Sequence, residues 1–148
     1  MNRMINRSAL QQYQQIGVQS SIVDASPHRL IQMLFEGALD RIAKARGSVV
    51  RGEVAEKCRY IGAAMAIVDG LAGSLNLEAG GEIANNLAAL YDYMGRRLLQ
   101  ANIESSALIL DEVSSLLGQV KEGWDAISVE TTPTTLPPTT STTRPNRY

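Results

Sequence analysis

The amino-acid sequence predicts an all-α protein, an antiparallel up-down four-helix bundle with a short helical cap at its N-terminus. Four segments carry apolar residues at alternating spacings of three and four, the pattern of one buried helix face. The connections between these segments are short, and no segment alternates with the period of two that is typical of a strand. The chain has 148 residues, which is the usual size of one domain.

The first predicted helix covers residues 27–50, and the second covers residues 53–75. Ser26 and Pro27 form a typical helix start, and Gly52 marks the stop between the two helices. The predicted core stripe of the first helix is Ile31, Phe35, Ala38, Ile42, Ala45 and Val49. That of the second helix is Val54, Cys58, Ile61, Met65, Val68, Ala72 and Leu75.

The third predicted helix begins after Gly80-Gly81, and the fourth covers residues 106–127. Their stripes are Ile83, Leu87, Leu90, Met94, Leu98 and Ala101 in the third, and Ile109, Val113, Leu116, Val120, Trp124 and Ile127 in the fourth. Tyr91 is predicted to lie on the core side of the third helix, and Tyr93 on its surface or in a groove. Short connections make neighbouring helices antiparallel, and the spacing favours crossing angles of about 20°. Residues 26–128 are therefore predicted to form the bundle.

Both ends of the chain are predicted to lie outside the bundle. Residues 1–25 contain a weaker stripe (Ile5, Ala9, Tyr13 and Ile16) and form the predicted cap and its link. Residues 129–148 are rich in Thr and Pro and contain little apolar surface to bury. We expect this tail to be disordered, with extended polyproline character.

The composition excludes several classes of protein. Lys and Arg number 14 against 15 Asp and Glu, so the basic surface of a nucleic-acid-binding protein is not expected. The longest apolar run, residues 62–68, is far shorter than the roughly 20 residues of a membrane span. The N-terminus lacks the apolar stretch of a secretory signal, and the single cysteine fits a reducing compartment. The predicted location is cytoplasmic.

The residue types that carry catalysis are scarce. His28 is the only histidine, and we expect it to be a solvated side chain in the first turn of a helix. Cys58 lies on a core stripe and is expected to be a small buried hydrophobic residue. We therefore predict no enzymatic activity, no metal and no cofactor. A phosphorelay protein with His28 as the phosphorylated residue is a less favoured alternative.

The first two predicted helices carry more apolar surface than a simple bundle needs. The second helix has an additional stripe at Tyr60, Ala64, Ile67 and Leu71, and the first has Leu30, Met33 and Leu34 beside the gap left by Gly37. Such surface either receives another helix or is covered by the N-terminal segment or a second copy of the chain. Periodicity does not distinguish these two interpretations. It also does not decide between a monomer and a homodimer.

Several strings resemble the flagellar secretion chaperone family, FliS. The most specific are GGEIANNL at 80–87, LYDYM at 90–94 and RRLL at 96–99 in the third helix. ASPHRLI at 25–31 and MLFEGA at 33–38 in the first helix are also similar. The resemblance covers roughly residues 8–128, whereas Gly95 stands where a larger apolar residue is expected, and the Thr- and Pro-rich tail is an addition.

The resemblance implies a cytosolic export chaperone that binds the C-terminal segment of flagellin and prevents premature polymerisation. Combined with the stripes, it predicts a flagellin-binding groove formed by Leu30, Met33, Leu34, Gly37, Tyr60, Ala64, Ile67, Leu71 and Tyr93. It also implies that Leu10 and Tyr13 dock the loaded chaperone on the cytoplasmic domain of the export gate. The alternative function is a helical adaptor or regulator that binds another flagellar protein, such as an anti-sigma factor.

Overall fold

A computed structural model of the chain describes the backbone of residues 25–131 and the side chains of residues 25–127, and it contains four helices. They are α1 (Pro27–Arg51), α2 (Val54–Gly73), α3 (Leu77–Glu104) and α4 (Ala107–Thr131). The predicted all-α fold is confirmed, and no strand occurs in this part of the chain. The predicted N-terminal cap and most of the tail lie outside the described residues.

Contacts between helix ends show that neighbouring helices are antiparallel. His28, near the start of α1, bonds to Trp124, near the end of α4. Lys57, near the start of α2, bonds to Asn102 near the end of α3. Each helix packs against two others, in the order α1, α2, α3, α4 and back to α1. The arrangement is the predicted up-down bundle.

Local sequence accounts for the helix ends. Ser26 Oγ accepts a hydrogen bond of 3.1 Å from the Arg29 amide at the start of α1, and Gly52 ends that helix with φ 75°. Asn76 Oδ1 caps α3 by accepting from the Ala79 amide at 3.0 Å. Ser106 Oγ accepts from the Ile109 amide at 3.1 Å at the start of α4. These side chains satisfy amide groups that have no partner inside the helix.

The core is built from aliphatic side chains of all four helices around Phe35. The stripe predicted for α1 is confirmed at its centre, because Phe35, Ala38, Ile42 and Ala45 are buried. In α3 and α4 the buried residues include Tyr91, Met94, Leu98, Ala101, Ile109, Leu110, Val113 and Leu117. The predicted core-side position of Tyr91 is confirmed.

The buried face of α2 differs from the prediction. The centre of the buried face consists of Lys57, Ile61, Ala64, Val68 and Leu71. Ile61 and Val68 belong to the predicted core stripe, Ala64 and Leu71 belong to the additional stripe, and Lys57 belongs to neither. Val54 and Cys58 were expected in the core, but both are exposed. The physical reason is that α2 packs against α1 on one side and α3 on the other, so the buried face is centred between the stripes.

The start of α3 also differs from the prediction. The helix begins at Leu77, before the glycine pair, and Gly81 interrupts it with φ 56° and ψ −132°. Ile83, which was expected in the core, is 72% exposed just beyond this kink. The kink thus displaces the first part of the predicted stripe from the core.

Candidate functional site

The predicted groove residues of α1 are mostly packed inside the protein. Met33, Leu34 and Gly37 are buried, whereas Leu30 is half-buried. Leu34 belongs to the main core, and Met33 forms a separate small cluster with Leu30 and Ala25. The interpretation of these side chains as surplus surface is therefore wrong for Leu34. Their part in binding a client stays a prediction.

The additional stripe of α2 is also used by the fold. Ala64, Ile67 and Leu71 are buried members of the main core, so they are not an open groove in this structure. Tyr60 is half-buried, and the Arg59 guanidinium lies 4.7 Å from the centre of its ring. Ala64, Ile67 and Leu71 are buried because α2 packs against two neighbouring helices. Their part in binding a client stays a prediction.

Tyr93, the remaining predicted groove residue, belongs to a polar seam between α3 and α4. Its hydroxyl donates to Glu112, and Arg97 Nε donates to the other carboxylate oxygen of Glu112 at 2.9 Å. The bond from Tyr93, followed by that from Arg97, lowers the pKa of Glu112. Arg96 instead pairs with Asp92 on the surface of α3. Leu10 and Tyr13, the predicted gate-docking residues, lie outside the described residues.

An open apolar cleft lies where the first half of α3 faces the start of α1 and the end of α4. Its volume is 670 Å³. The lining residues come from α1, α3, α4 and the turn before α3: Ile31, Phe35, Ser74, Leu75, Asn76, Ala79, Gly80, Ile83, Ala84, Leu87, Tyr91, Gln119, Val120, Gly123, Trp124 and Ile127. Ile83 and Ile127 are 72% and 42% exposed, so the cleft presents apolar side chains to solvent.

Small residues and the kink in α3 explain why this cleft is open. Ala79, Gly80 and Ala84 line it from α3, and Gly123 lines it from α4. A Cβ atom at Gly80 would lie only 2.6 Å from the Cβ atom of Ala84, so the kinked backbone itself requires glycine there. Of the neighbouring helix pairs, α3 and α4 pack least closely. Small side chains on both walls leave a space that the bundle does not fill.

A second cleft of 490 Å³ runs between α2 and α3. Met65, Ala72 and Leu99 provide apolar walls, and Asp69, Asp92 and Arg96 provide a charged rim. Gly95 lies in this cleft, and a Cβ atom there would meet no other atom within 4 Å. Gly95, where the resemblance led us to expect a larger apolar residue, therefore widens a surface groove and lies outside the core.

Tyr91 forms a boundary that the two clefts share. It lines both of them, and only 5% of its surface is exposed. Burial raises its pKa to about 12, so the phenol is neutral at physiological pH. It is an apolar surface with a polar tip, a type of side chain that is common where one protein contacts another.

Potential catalytic groups are dispersed in the described part of the chain. Cys58 is exposed on the surface of α2, and within residues 25–127 no group of three His, Cys, Asp or Glu side chains is placed to hold a metal ion. His28 was expected to be solvated, but it is half-buried and stacked on Trp124. The expectation was wrong because periodicity within α1 carries no information about α4. No helix in residues 25–131 is long and apolar enough to cross a membrane.

The geometry is thus that of a helical bundle with apolar clefts, and comparison with known proteins identifies the family. A family model described as "Flagellar protein FliS" matches residues 9–131. The chain belongs to the FliS family. This assignment confirms the resemblance that the strings in α1 and α3 indicated.

Similar proteins in this family are named flagellar secretion chaperones. One from Pseudomonas aeruginosa, FliSB, is 49% identical over 125 residues, which cover 84% of this chain and 99% of the relative. FliS from Salmonella typhimurium is 45% identical over 126 residues, or 84% of this chain and 93% of the relative. FliS from Bacillus subtilis is 32% identical over 106 residues, or 72% and 78%. The FliS assignment therefore rests on nearly the whole length of the first relative.

Sequence reasoning missed the residues that line the larger cleft. Ile83 and Trp124 were assigned to the core, and Ala79 and Gly80 to a turn. One signal was present, because GGEIANNL is the most specific of the FliS-like strings and its first five residues include Gly80, Ile83 and Ala84. The string on which the resemblance to the FliS family was based thus includes part of the cleft wall.

Proposed function

We propose that this chain is a cytoplasmic flagellar export chaperone that binds the C-terminal segment of flagellin and delivers it to the export gate. The observation that carries this proposal is the open apolar cleft of 670 Å³ on a member of the FliS family. The binding mode is the insertion of an amphipathic helix into an apolar groove.

The larger cleft fits such a client in chemistry and in shape. Its walls are mainly aliphatic and aromatic, which suits the apolar face of a helix that is disordered before it binds. Coupled folding and binding buries about 1,000–3,000 Å² and costs about 2–5 kcal/mol in ordering. A single enclosed pocket cannot supply such an area, whereas two clefts on adjacent faces supply a long path for a client.

The residues proposed to contact the client first differ from the groove residues that the stripes predicted. Ile83, Leu87 and Trp124 of the larger cleft are accessible in the free chain, whereas Leu34, Ala64 and Leu71 are packed in the core. We propose that flagellin enters the cleft along α3. The groove residues predicted from the stripes then stabilise the bundle beneath it.

A titration of the full chain with a synthetic flagellin C-terminal peptide tests the proposal. Calorimetry should show micromolar or tighter binding, and circular dichroism should show a gain of helix when peptide and chain are mixed. Ile83→Asp places a charge on the cleft wall and should weaken binding at least about tenfold, which corresponds to about 1.4 kcal/mol. Leu108→Asp is the matched control, since Leu108 is 81% exposed at the opposite end of the bundle.

The two variants separate a specific site from general surface effects. Equal loss of affinity in both variants would contradict the cleft as the binding site. No binding by the unsubstituted chain would contradict the flagellin chaperone itself and favour an adaptor for another flagellar protein. Light scattering of the free and loaded chain would also decide between a monomer and a homodimer.

We further propose that Leu10 and Tyr13 dock the loaded chaperone on the export gate. Their proposed contact is with the gate and not with flagellin, so their replacement by Ala should leave peptide affinity unchanged. Capture of the gate's cytoplasmic domain by the loaded chain should be lost. Unchanged capture would contradict this assignment.

A further inference from the structure

His28 and Trp124 join the start of α1 to the end of α4 through one compact contact. Their rings are stacked, with centroids 4.7 Å apart and planes within 7° of each other. His28 Nε2 donates a hydrogen bond of 2.8 Å to the Trp124 carbonyl oxygen. Trp124 Nε1 donates one of 3.1 Å to the His28 carbonyl oxygen. Each side chain thus donates a hydrogen bond to the backbone of the other residue, so the two hydrogen bonds are reciprocal.

This contact fixes the orientation of the indole. A tryptophan side chain turns about two torsions, and a hydrogen bond at Nε1 together with a stacked ring on one face restricts both. The same indole lines the larger cleft, whereas His28 does not. The His28 imidazole, which does not line the cleft, therefore determines the position of a side chain that does.

We propose that His28 is a positioning residue for client binding, which holds the Trp124 indole in place as a rigid aromatic wall of the cleft. This inference rests on the proposed function of the cleft. Its physical basis is preorganisation: a wall that is already immobile loses no side-chain freedom when the client binds. Aromatic anchors in such positions commonly dominate the energy of an interface.

A neighbouring contact provides a matched control. Gln32, one turn after His28 on α1, donates to Asp125 Oδ1 of α4 at 2.7 Å, and Lys121 Nζ contacts Asp125 Oδ2 at 2.7 Å. Gln32→Ala removes a polar link between the same two helices without touching the indole. A purely structural role for His28 predicts that His28→Ala and Gln32→Ala have similar effects on every measurement.

The chain contains one tryptophan, so its fluorescence reports on this site alone. In the free full-length chain, time-resolved anisotropy should show faster local motion of the indole in His28→Ala than in the unsubstituted chain. His28→Phe retains a ring for stacking and should restore part of the rigidity. Gln32→Ala should leave the indole as immobile as in the unsubstituted chain.

The peptide titration then tests the consequence for binding. His28→Ala should weaken binding by roughly three- to tenfold, the factor expected when one large side chain must be immobilised on binding. His28→Phe should recover part of this loss, and Gln32→Ala should bind as the unsubstituted chain does. Thermal unfolding of each variant identifies any that fail to fold.

Three results would overturn the inference. The first is an indole in His28→Ala that stays immobile, and the second is a mobile indole with unchanged peptide affinity. The third is a loss of affinity in Gln32→Ala equal to that in His28→Ala. If the unsubstituted chain binds no flagellin peptide, the proposed function fails. The anisotropy measurements still show whether His28 holds the indole.

Discussion

Lys57 occupies a buried position near the start of α2 that periodicity assigned to its neighbour Cys58. Its side chain is 6% exposed, and Nζ donates to the Asn102 carbonyl oxygen and to Ser105 Oγ, each at 2.8 Å. These acceptors lie at the end of α3, where carbonyl groups lack partners within the helix and the helix dipole favours a cation. A residue type that is rarely buried is thus stabilised by a neighbouring helix end that the local pattern does not reveal.

Replacing Lys57 should show how much this contact contributes to stability. Lys57→Met keeps a long apolar stem but leaves the Asn102 carbonyl and the Ser105 hydroxyl without their donor. We expect the free energy of unfolding to fall by about 2 kcal/mol, because a hydrogen bond from a charged group contributes about 1.5–3 kcal/mol. Urea denaturation of the full chain measures this change.

Cys58→Ser is the control for that experiment. Cys58 is exposed, and exposed substitutions usually change stability by less than about 0.5 kcal/mol. A larger loss for Cys58→Ser than for Lys57→Met would support the prediction from periodicity that Cys58, and not Lys57, packs in the core.

Among the elements, α1 was predicted most accurately and α2 and the start of α3 least accurately. In α1 the cap at Ser26 and the stop at Gly52 define the bounds, and the centre of the predicted stripe lies within the buried face. In α2 two stripes of equal quality occur side by side, and only the position of the partner helices decides where the buried face is centred. Periodicity describes one helix at a time, so it cannot supply that information.

The start of α3 depends on a backbone conformation. Gly81 has φ 56° and ψ −132°, which lies in a region that residues with a Cβ atom avoid. We expect Gly81→Ala to lower the free energy of unfolding by about 1–3 kcal/mol, the usual cost of such strain. Thermal and urea unfolding measure this effect.

Gly62→Ala, the same substitution at another glycine, should change the free energy of unfolding in the opposite direction. Gly62 lies inside α2 and is exposed, and a methyl group added there would meet no other atom within 4 Å. Alanine there should raise the free energy of unfolding by about 0.5–1 kcal/mol, because glycine is unfavourable inside a helix. If Gly81→Ala were as stabilising as Gly62→Ala, the kink would not be a required feature of α3.

At the scale of the whole molecule, the sequence predicts the bundle but not its clefts. Helix number, order and approximate bounds follow from stripes, caps and short turns, and all of these are local. The larger cleft depends on how far the first half of α3 lies from α4, which small residues such as Ala84 and Gly123 and the kink at Gly81 determine together. The family resemblance indicated a groove, and we propose that its accessible part is the larger cleft.

This arrangement predicts that the two halves of α3 differ in local stability. Residues 82–90 border the open cleft, and Ile83 is largely exposed. Met94, Leu98 and Ala101 in the second half are fully buried. Segments with few buried apolar contacts open at lower free energy, so amide hydrogens of residues 82–90 should exchange with solvent faster than those of residues 91–101.

Binding of a client should reverse this difference. A flagellin peptide in the cleft buries the exposed face of the first half of α3, so exchange over residues 82–90 should slow while that over residues 91–101 changes little. Hydrogen–deuterium exchange of the full chain with and without peptide measures both halves together. Protection confined to α2, around Tyr60 and Ala64, would instead favour the groove predicted from the stripes. That result would require the bundle to rearrange on binding, because Ala64 is inaccessible in the free chain.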